Sequence, residues 1–99
     1  MAAGADALQL FDSWAGALPA RDYRELVLPH VRTALGHVDD LCTVHGIPRI
    51  LFGVGTGELL GTMSQAGPEV VGVDFRVPLD QAAGRVRAGA ALQGNLDPA

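Results

Sequence analysis

The sequence predicts an α/β fold in which parallel strands alternate with helices in the order βαβαβαβ. Four short apolar segments have the length of strands, and the segments between them carry apolar residues at helical spacing. The first, third and fourth strands are apolar on successive residues, which is typical of a parallel sheet covered on both faces. A doubly wound sheet and a (β/α)8 barrel both use this unit, and both place functional residues at the carboxyl ends of the strands.

The first half of the chain predicts one strand followed by two helices. The apolar stretch at residues 7–11 is the first strand, and the sequence "LPARDY" can open a short helix. Because Pro29 lacks the amide donor that a helix interior requires, we expect it to end that helix, and a second helix to run over residues 29–45. Gly46 is a suitable left-handed end for the second helix. The apolar face of that helix comprises Val31, Leu35, Val38 and Cys42.

The second half of the chain predicts three more strands separated by helices. These strands lie at residues 50–54, 70–73 and 90–93. A short helix is expected over residues 58–65 with Thr56 as its N-terminal cap, and another helix opens at Pro78. In that last helix, the residues expected to face inward are Leu79, Ala82, Ala83 and Val86.

Composition restricts the class of protein. The net charge of −4 argues against a general surface for nucleic acid or anionic membranes. Cys42 is the single cysteine, which excludes an internal disulfide framework and a cysteine-only zinc site and fits a reducing cytoplasm. The apolar runs are far shorter than the ~20 residues of a membrane span, and we predict no signal peptide. Both ends adjoin a strand directly, so residues 1–99 are expected to be one incomplete domain.

The sequence "FGVGTGELLG" places glycines directly after the second predicted strand, as phosphate-binding loops do. Counted from Gly53, the sixth position is Glu58, and counted from Gly55 it is Leu60, so neither register fits the dinucleotide pattern G-x-G-x-x-G. No lysine follows, so the loop is not a Walker A motif. The charge of Glu58 would also repel an anion at the helix start. We therefore favour a tight turn that needs a positive φ.

Polar residues at the other strand ends have both binding and structural interpretations. The Ser13 hydroxyl could hold a substrate carboxylate or cap the following turn, and the residue alone does not decide between them. Asp12, Asp74 and Asp97 could form an acid–base group, but a cap or an ion pair with a neighbour such as Arg76 is favoured.

The three histidines and the cysteine offer little for metal binding. His30 and His37 are seven residues apart, which is two helical turns and too far to share a metal easily. Solvent-facing histidines and a core position for Cys42 are favoured.

Five stretches, taken together and in order, resemble the uroporphyrinogen decarboxylase family. They are "AGADALQLFDSWAG", "LPHV", "FGVGTGELLG", "VVGVDFRVPLDQA" and "ALQGNLDP". The similarity covers essentially all 99 residues, and "QLFDSWAG" and "LQGNLDP" are specific in combination with the "VGVDFRVPL" between them. Any one of these motifs alone would be weak.

The resemblance implies a fold and an activity. The family fold is one (β/α)8 barrel of typically ~250 residues, so the chain would be a partial TIM (β/α)8 barrel covering about the fourth to seventh strands. Family members remove the carboxyl groups of four acetate side chains of uroporphyrinogen III and yield coproporphyrinogen III in haem biosynthesis. They use no metal or organic cofactor, and they act as homodimers with a deep cleft at the carboxyl ends of the strands. Neither nucleic acid nor a membrane is an expected partner.

Two site residues follow from the resemblance. Ser13 matches the family serine that hydrogen-bonds a substrate carboxylate, and Phe11 matches an aromatic residue that packs against the macrocycle. Residues two apart on a strand share a face, so both should face the cleft while Asp12 faces away. The family's anion-binding arginines, catalytic aspartate, cleft tyrosine and late histidine have no counterpart in residues 1–99. No catalytic residue is therefore assigned, and this segment alone is expected to be inactive.

Two alternatives stay open at the level of the sequence. Cobalamin- or methionine-synthase-type methyltransferases resemble this family but hold zinc through a His-x-Cys pair and a further cysteine. Here Asp40, not histidine, stands two residues before Cys42. The other alternative is a non-catalytic fragment or interaction module.

Overall fold

A four-stranded parallel sheet is the framework of the computed structural model, which describes residues 4–12 and 15–95. Its strands are Leu8–Asp12 (β1), Arg49–Gly53 (β2), Val70–Gly72 (β3) and Ala91–Gln93 (β4). The spatial order is β1-β2-β3-β4, so each strand pairs with the next one along the chain. The four predicted strands are therefore confirmed, with boundaries shifted by one residue at most ends.

Helical segments connect the strands. Between β1 and β2 lie a 3₁₀ turn at Ala15–Ala17 and the helices Ala20–Asp22 (α1), Leu28–Gly36 (α2) and Asp39–His45 (α3), with a π-helical turn at Tyr23–Val27 joining α1 to α2. A 3₁₀ turn at Gly57–Leu59 and the helix Leu60–Ser64 (α4) connect β2 to β3. The helix Leu79–Ala83 (α5) connects β3 to β4.

The helices cover one face of the sheet. Leu10, Leu51, Val71 and Leu92 lie side by side in register across β1 to β4 and point to this face. Two apolar clusters form there, one around Leu51 and the α2 helix and one around Val71 and the α5 helix. Each large apolar side chain that is buried in this way contributes about 1.5–3 kcal/mol, so this face holds the sheet and its helices together.

The opposite face of the sheet, called the inner face below, carries the alternate residues. They are Gln9, Phe11, Ile50, Phe52, Val70, Gly72, Ala91 and Gln93. Phe11 is 66% exposed there, and Gln9, Ala91 and Gln93 are exposed as well. Strands that follow one another in space and sequence, with helices on one side only, are typical of a barrel segment and not of a doubly wound sheet. The partial (β/α)8 barrel is thus the architecture of this segment.

The helical region before β2 differs from the prediction in two places. Pro29 does not end the first helix, because the chain widens into the π turn and the Leu28 N–H bonds to the Tyr23 carbonyl, which places the proline in the first turn of α2. The predicted helix over residues 29–45 is in fact two helices, because Val38 has a non-helical backbone with φ −111° and ψ 7°. The left-handed end at Gly46 is confirmed by its φ of 64°.

Two expectations about individual side chains were also wrong. Leu79 and Ala83 are exposed, because α5 has only five residues and turns Ala82 alone fully into the core. Thr56 occupies the cap position, but its hydroxyl donates a hydrogen bond backward to the Gly53 carbonyl at 2.7 Å. It therefore closes the turn after β2 instead of accepting from a helix amide.

Arg49 joins the amino-terminal side of the sheet to the helices. Its guanidinium, 10% exposed, donates to the Leu35 carbonyl at 3.1 Å and to the Gly67 carbonyl at 2.8 Å. It also contacts the Glu69 carboxylate at 2.7 Å and the Asp39 carboxylate at 3.2 Å. The hydrogen bond from the Arg49 guanidinium holds the pKa of the Glu69 carboxyl below its ordinary value, although burial opposes the shift. Because Leu35 lies at the end of α2, its carbonyl accepts from the Arg49 guanidinium as well as from the Val38 backbone N–H at 3.3 Å.

Candidate functional site

Aromatic side chains lie at the carboxyl ends of the first two strands on the inner face. Phe11 on β1 is in register with Phe52 on β2, and Phe52 is in register with Gly72 on β3. A Cβ atom on Gly72 would lie 2.7 Å from Cδ1 and 2.9 Å from Cβ of Phe52. Glycine is therefore required for Phe52 to keep its position beside β3. The two phenylalanines form an apolar surface on which a ring system can pack.

A cleft of about 490 Å³ opens at the same edge of the sheet. Its lining, which defines "the cleft" below, comprises Phe52, Val54, Val73, Asp74, Phe75, Arg76, Gly94 and Asn95. Most of these residues lie in the loops after β2, β3 and β4, where the functional residues of α/β folds collect. The volume is in the range of small-molecule sites, and the walls are mostly apolar with a few polar groups.

The glycine-rich loop after β2 is held by a carboxylate of its own chain. Gly55 has a φ of 69°, which confirms the turn with a positive φ. Its backbone N–H donates to Oδ2 of Asp74 at 2.6 Å. The amide that would face a phosphate in a nucleotide-binding loop is thus bonded to an anion already. A Cβ on Gly57 would lie 2.6 Å from Cγ2 of Val77, so this glycine permits close packing.

Asp74 joins the loops after β2 and β3. Its carboxylate accepts from the Gly55 N–H, from the Arg76 backbone N–H at 3.0 Å and from the Arg76 guanidinium at 2.5 Å. Burial raises the pKa of this carboxyl, but these three donors outweigh burial and leave the pKa below its ordinary value. Asp74 is therefore an anionic structural residue, and the favoured ion pair with Arg76 is confirmed.

The loops after β4 and β1 join the same group. The side-chain amide of Asn95 donates to the Asp74 carbonyl at 2.8 Å and also to the Val77 carbonyl. Gly55, Asp74, Arg76 and Asn95 are called the rim network below. Gly16 packs against the turn after β2, since a Cβ atom there would lie 2.3 Å from the Val54 carbonyl oxygen. Four successive strand ends are thus fixed relative to one another.

The site residues taken from the sequence are only partly visible. Phe11 lies on the inner face, as predicted, and Ser13 lies outside the described residues. Asp12 is partly buried on the helix-covered side, where its charge is felt by buried Tyr23. Its predicted orientation away from the inner face is therefore confirmed. Asp97 also lies outside the described residues.

The histidines and the cysteine do not gather at the cleft. The three histidines are exposed: His30 lies on α2, His37 at the end of α2 and His45 on α3. Cys42 is 3% exposed and belongs to the core. Asp40 is exposed on the same helix, so it does not share the buried position of Cys42. Within residues 4–12 and 15–95, no three His, Cys, Asp or Glu side chains are grouped as metal ligands would be.

Sequence reasoning missed the rim network and most of the cleft. The sequence placed Asp74 in a possible acid–base group or an ion pair with Arg76, and it placed Asn95 only within a family motif. The available signal was the position of "DFR" and "GN" directly after strands, which places these residues at one edge of a parallel sheet.

Comparison with known proteins decides the family. The uroporphyrinogen decarboxylase (URO-D) family model matches residues 1–99, which is the whole chain. This chain belongs to the uroporphyrinogen decarboxylase family. It is similar to the uroporphyrinogen decarboxylase of Rhodococcus erythropolis, with 66% identity over 97 residues that cover 98% of this chain and 26% of the relative. The Thermobifida fusca protein of the same name is 63% identical over 99 residues, covering 100% of this chain and 26% of the relative.

A third relative extends the comparison. The uroporphyrinogen decarboxylase of Saccharopolyspora erythraea is 60% identical over 105 residues, covering 100% of this chain and 29% of the relative. The chain thus spans about a quarter of the length of the curated uroporphyrinogen decarboxylases it matches. In the part of this family segment that the structure describes, helices long and apolar enough for a membrane crossing are absent.

Proposed function

We propose that the protein containing this segment converts uroporphyrinogen III to coproporphyrinogen III by removing four acetate carboxyl groups. One observation carries the proposal: the entire chain matches the family, and proteins named uroporphyrinogen decarboxylase are 60–66% identical to it. The cleft at the carboxyl edge of the sheet is in keeping with this activity, since barrel enzymes bind substrates at that edge. The segment's role is to form part of the substrate-binding wall.

Phe11 is the first residue that we assign to this wall. Its ring is exposed on the inner face beside Phe52, so the flat face of one pyrrole ring of the macrocycle can pack on an aromatic surface. Ser13, two positions further along, is assigned to a substrate carboxylate, to which its hydroxyl would donate a hydrogen bond.

Decarboxylation of the acetate groups needs no residue of this segment as an electron acceptor. Protonation of a pyrrole carbon converts the ring into an electron sink, and the bond to the acetate carboxylate breaks with loss of CO2. The remaining methylene then takes up a proton to become a methyl group, and the proton first added to the ring carbon leaves, so that each acetate consumes one proton overall. The residues of this segment bind and orient the macrocycle while that occurs. The Asp74 carboxylate is already engaged by three donors, so we assign it no proton transfer.

The parent enzyme is further proposed to be a homodimer in the cytoplasm. The unpaired, buried Cys42 is in keeping with a reducing compartment. Equilibrium sedimentation of the enzyme tests the dimer, and a monomer at all concentrations would contradict it.

A chimera tests the proposed activity. The matching stretch of the Rhodococcus erythropolis uroporphyrinogen decarboxylase is replaced by this segment, and the decarboxylation of uroporphyrinogen III is measured. We expect turnover within about tenfold of the unsubstituted relative, because 66% of the aligned residues are unchanged. A folded chimera that binds no tetrapyrrole would contradict the proposal. The isolated 99-residue chain is expected to show no turnover.

Two substitutions in the chimera test the assigned binding residues. Phe11→Ala and Ser13→Ala are each expected to raise KM by about tenfold, since each removes one packing or hydrogen-bond contact with substrate. Thr33→Ala is the control, because it removes a hydroxyl that lies on α2 and donates to the Pro29 carbonyl. Unchanged KM in Phe11→Ala and Ser13→Ala would exclude both residues from the wall.

A further inference from the structure

We propose that Arg76 binds a carboxylate side chain of the tetrapyrrole at the cleft, in addition to its ion pair with Asp74. This inference rests on the proposed function, because it identifies the group that recognises one of the substrate's acidic arms. It adds a binding residue from the loop after β3 to the wall formed by Phe11 and Phe52.

The position of Arg76 sets it apart from the other cations of the segment. All seven basic residues are arginines, and Arg76 is the one among them that lines the cleft. Arg49, for comparison, bonds to carbonyls and carboxylates at the opposite end of the sheet. A substrate with eight carboxylates needs cations at the cleft, and the segment as a whole has a net charge of −4. Within this segment, Arg76 is therefore the cation placed to meet one carboxylate of the substrate.

The guanidinium of Arg76 is oriented but not fully used. Its Nη1 donates to Asp74, and its central carbon lies 4.7 Å from the centroid of the Phe75 ring. Among the described residues, Asp74 is the sole acceptor that the guanidinium bonds. An arginine offers five N–H donors in a planar fork, so Nη2 and Nε stay available to a ligand. The contacts with Asp74 and Phe75 reduce the side-chain freedom that binding would otherwise remove.

The charge distribution of the pair favours an anionic ligand. The Asp74 side chain is 5% exposed and also accepts two backbone N–H groups, whereas the Arg76 side chain is 53% exposed. Both residues line the cleft, but the ion pair exposes mainly its cation there. Beside it, Phe52 and Phe75 supply apolar walls for the ring that carries the carboxylate.

The test uses Arg76→Gln and Arg76→Lys in the chimera described above, with steady-state kinetics on uroporphyrinogen III. For Arg76→Gln we expect KM to rise about 10- to 100-fold, as for loss of one charged hydrogen bond, while kcat changes by less than about threefold. Arg76→Lys keeps the charge beside Asp74 but not the planar fork, so it should restore part of the loss. Arg21→Gln is the control, because Arg21 is 84% exposed and pairs with Glu25 on the helix surface.

A product-inhibition measurement separates the two kinds of carboxylate. Coproporphyrinogen keeps the propionates but carries methyl groups in place of the acetates. Weaker inhibition of Arg76→Gln by coproporphyrinogen therefore supports binding of a propionate. Unchanged inhibition together with a raised KM supports binding of an acetate.

Different results would overturn the inference and the proposed function. If the unsubstituted chimera is active and both Arg76 variants keep its KM and inhibition constant, Arg76 is only a structural partner of Asp74 and the inference is wrong. If Arg76→Gln is unfolded, Arg76→Lys decides in the same way, since it retains the ion pair. If the folded, unsubstituted chimera neither binds nor decarboxylates uroporphyrinogen, the proposed function itself fails.

Discussion

Replacing Gly16 by alanine should separate two loops at the edge of the cleft. Gly16 lies in the 3₁₀ turn after β1, and a Cβ atom there would lie 2.3 Å from the Val54 carbonyl oxygen and 2.6 Å from that of Gly55. Ordinary contacts begin at 3.4 Å, so the two loops must move apart by about 1 Å. Both obstructing atoms belong to the backbone and cannot rotate away.

The expected cost of Gly16→Ala is about 1–3 kcal/mol, which is typical of an added methyl group without space. The loop that moves follows β1, which carries Phe11, so the substitution should also raise KM for uroporphyrinogen. Urea unfolding of the chimera measures the free-energy change as a lower midpoint at unchanged slope. Steady-state kinetics measure the change in KM.

Gly36→Ala is the matched control for that experiment. Gly36 ends α2, and a Cβ atom on it would meet nothing within 4 Å. Alanine favours a helix over glycine by up to about 1 kcal/mol, so this variant should be as stable as the unsubstituted chimera or more so. Equal unfolding midpoints for Gly16→Ala and Gly36→Ala would refute the close contact between the loops.

Four further predictions follow from the described contacts. Arg49→Met should lower the free energy of unfolding of the chimera by about 2–4 kcal/mol, because the Gly67 carbonyl loses its guanidinium donor and the Glu69 carboxylate loses its ion-pair partner. The pKa values of the Glu69 and Asp74 carboxyls lie below their ordinary 4.5 and 3.8, so their stabilisation is present above those pH values and is lost as pH falls through the lower folded pKa values. Burial, aided by the charge of Asp12, raises the pKa of Tyr23 from 10.0 to about 12, so stability should fall as pH rises between these values. The isolated 99-residue chain should self-associate in sedimentation experiments and bind a hydrophobic dye, because Phe11 and the inner face are exposed.

Each of these predictions has a control variant or a result that would contradict it. Arg21→Met removes an arginine that is 84% exposed, and a loss as large as that of Arg49→Met would contradict the role of the buried guanidinium. In acid, Glu69→Gln should show a weaker dependence of the urea midpoint on pH, and an unaltered dependence would contradict the lowered pKa of the Glu69 carboxyl. In alkali, Tyr23→Phe should remove the loss that is assigned to the phenol. A monomeric, dye-free isolated chain would contradict the exposed inner face.

Local sequence patterns were sufficient to predict the strands and those helix ends that a single residue determines. The left-handed end at Gly46 follows from glycine's own backbone freedom. The break near Val38 was not predictable, because the helix end at Leu35 is held by Arg49, which lies 14 residues away in sequence and donates to the Leu35 carbonyl. The continuity of the helix past Pro29 depends on a π turn, for which the apolar spacing gives no signal.

The sequence was sufficient to predict those parts of the candidate site that depend only on the alternating direction of side chains along a strand. The orientations of Phe11 and Asp12 follow from the two-residue period of a strand. The rim network was not predictable, because its bonds join Asp74 to Gly55, 19 residues earlier, and to Asn95, 21 residues later. Such contacts depend on how the strand ends meet in space, which a pattern along one chain does not contain.

The most direct test of the central claim is an experimental structure of the chimera with coproporphyrinogen bound. We expect the macrocycle at the carboxyl ends of the four strands, with the Phe11 ring in van der Waals contact with a pyrrole. A tetrapyrrole bound away from this edge, or a Phe11 ring buried beneath the helices, would contradict the assignment of this segment to the substrate-binding wall.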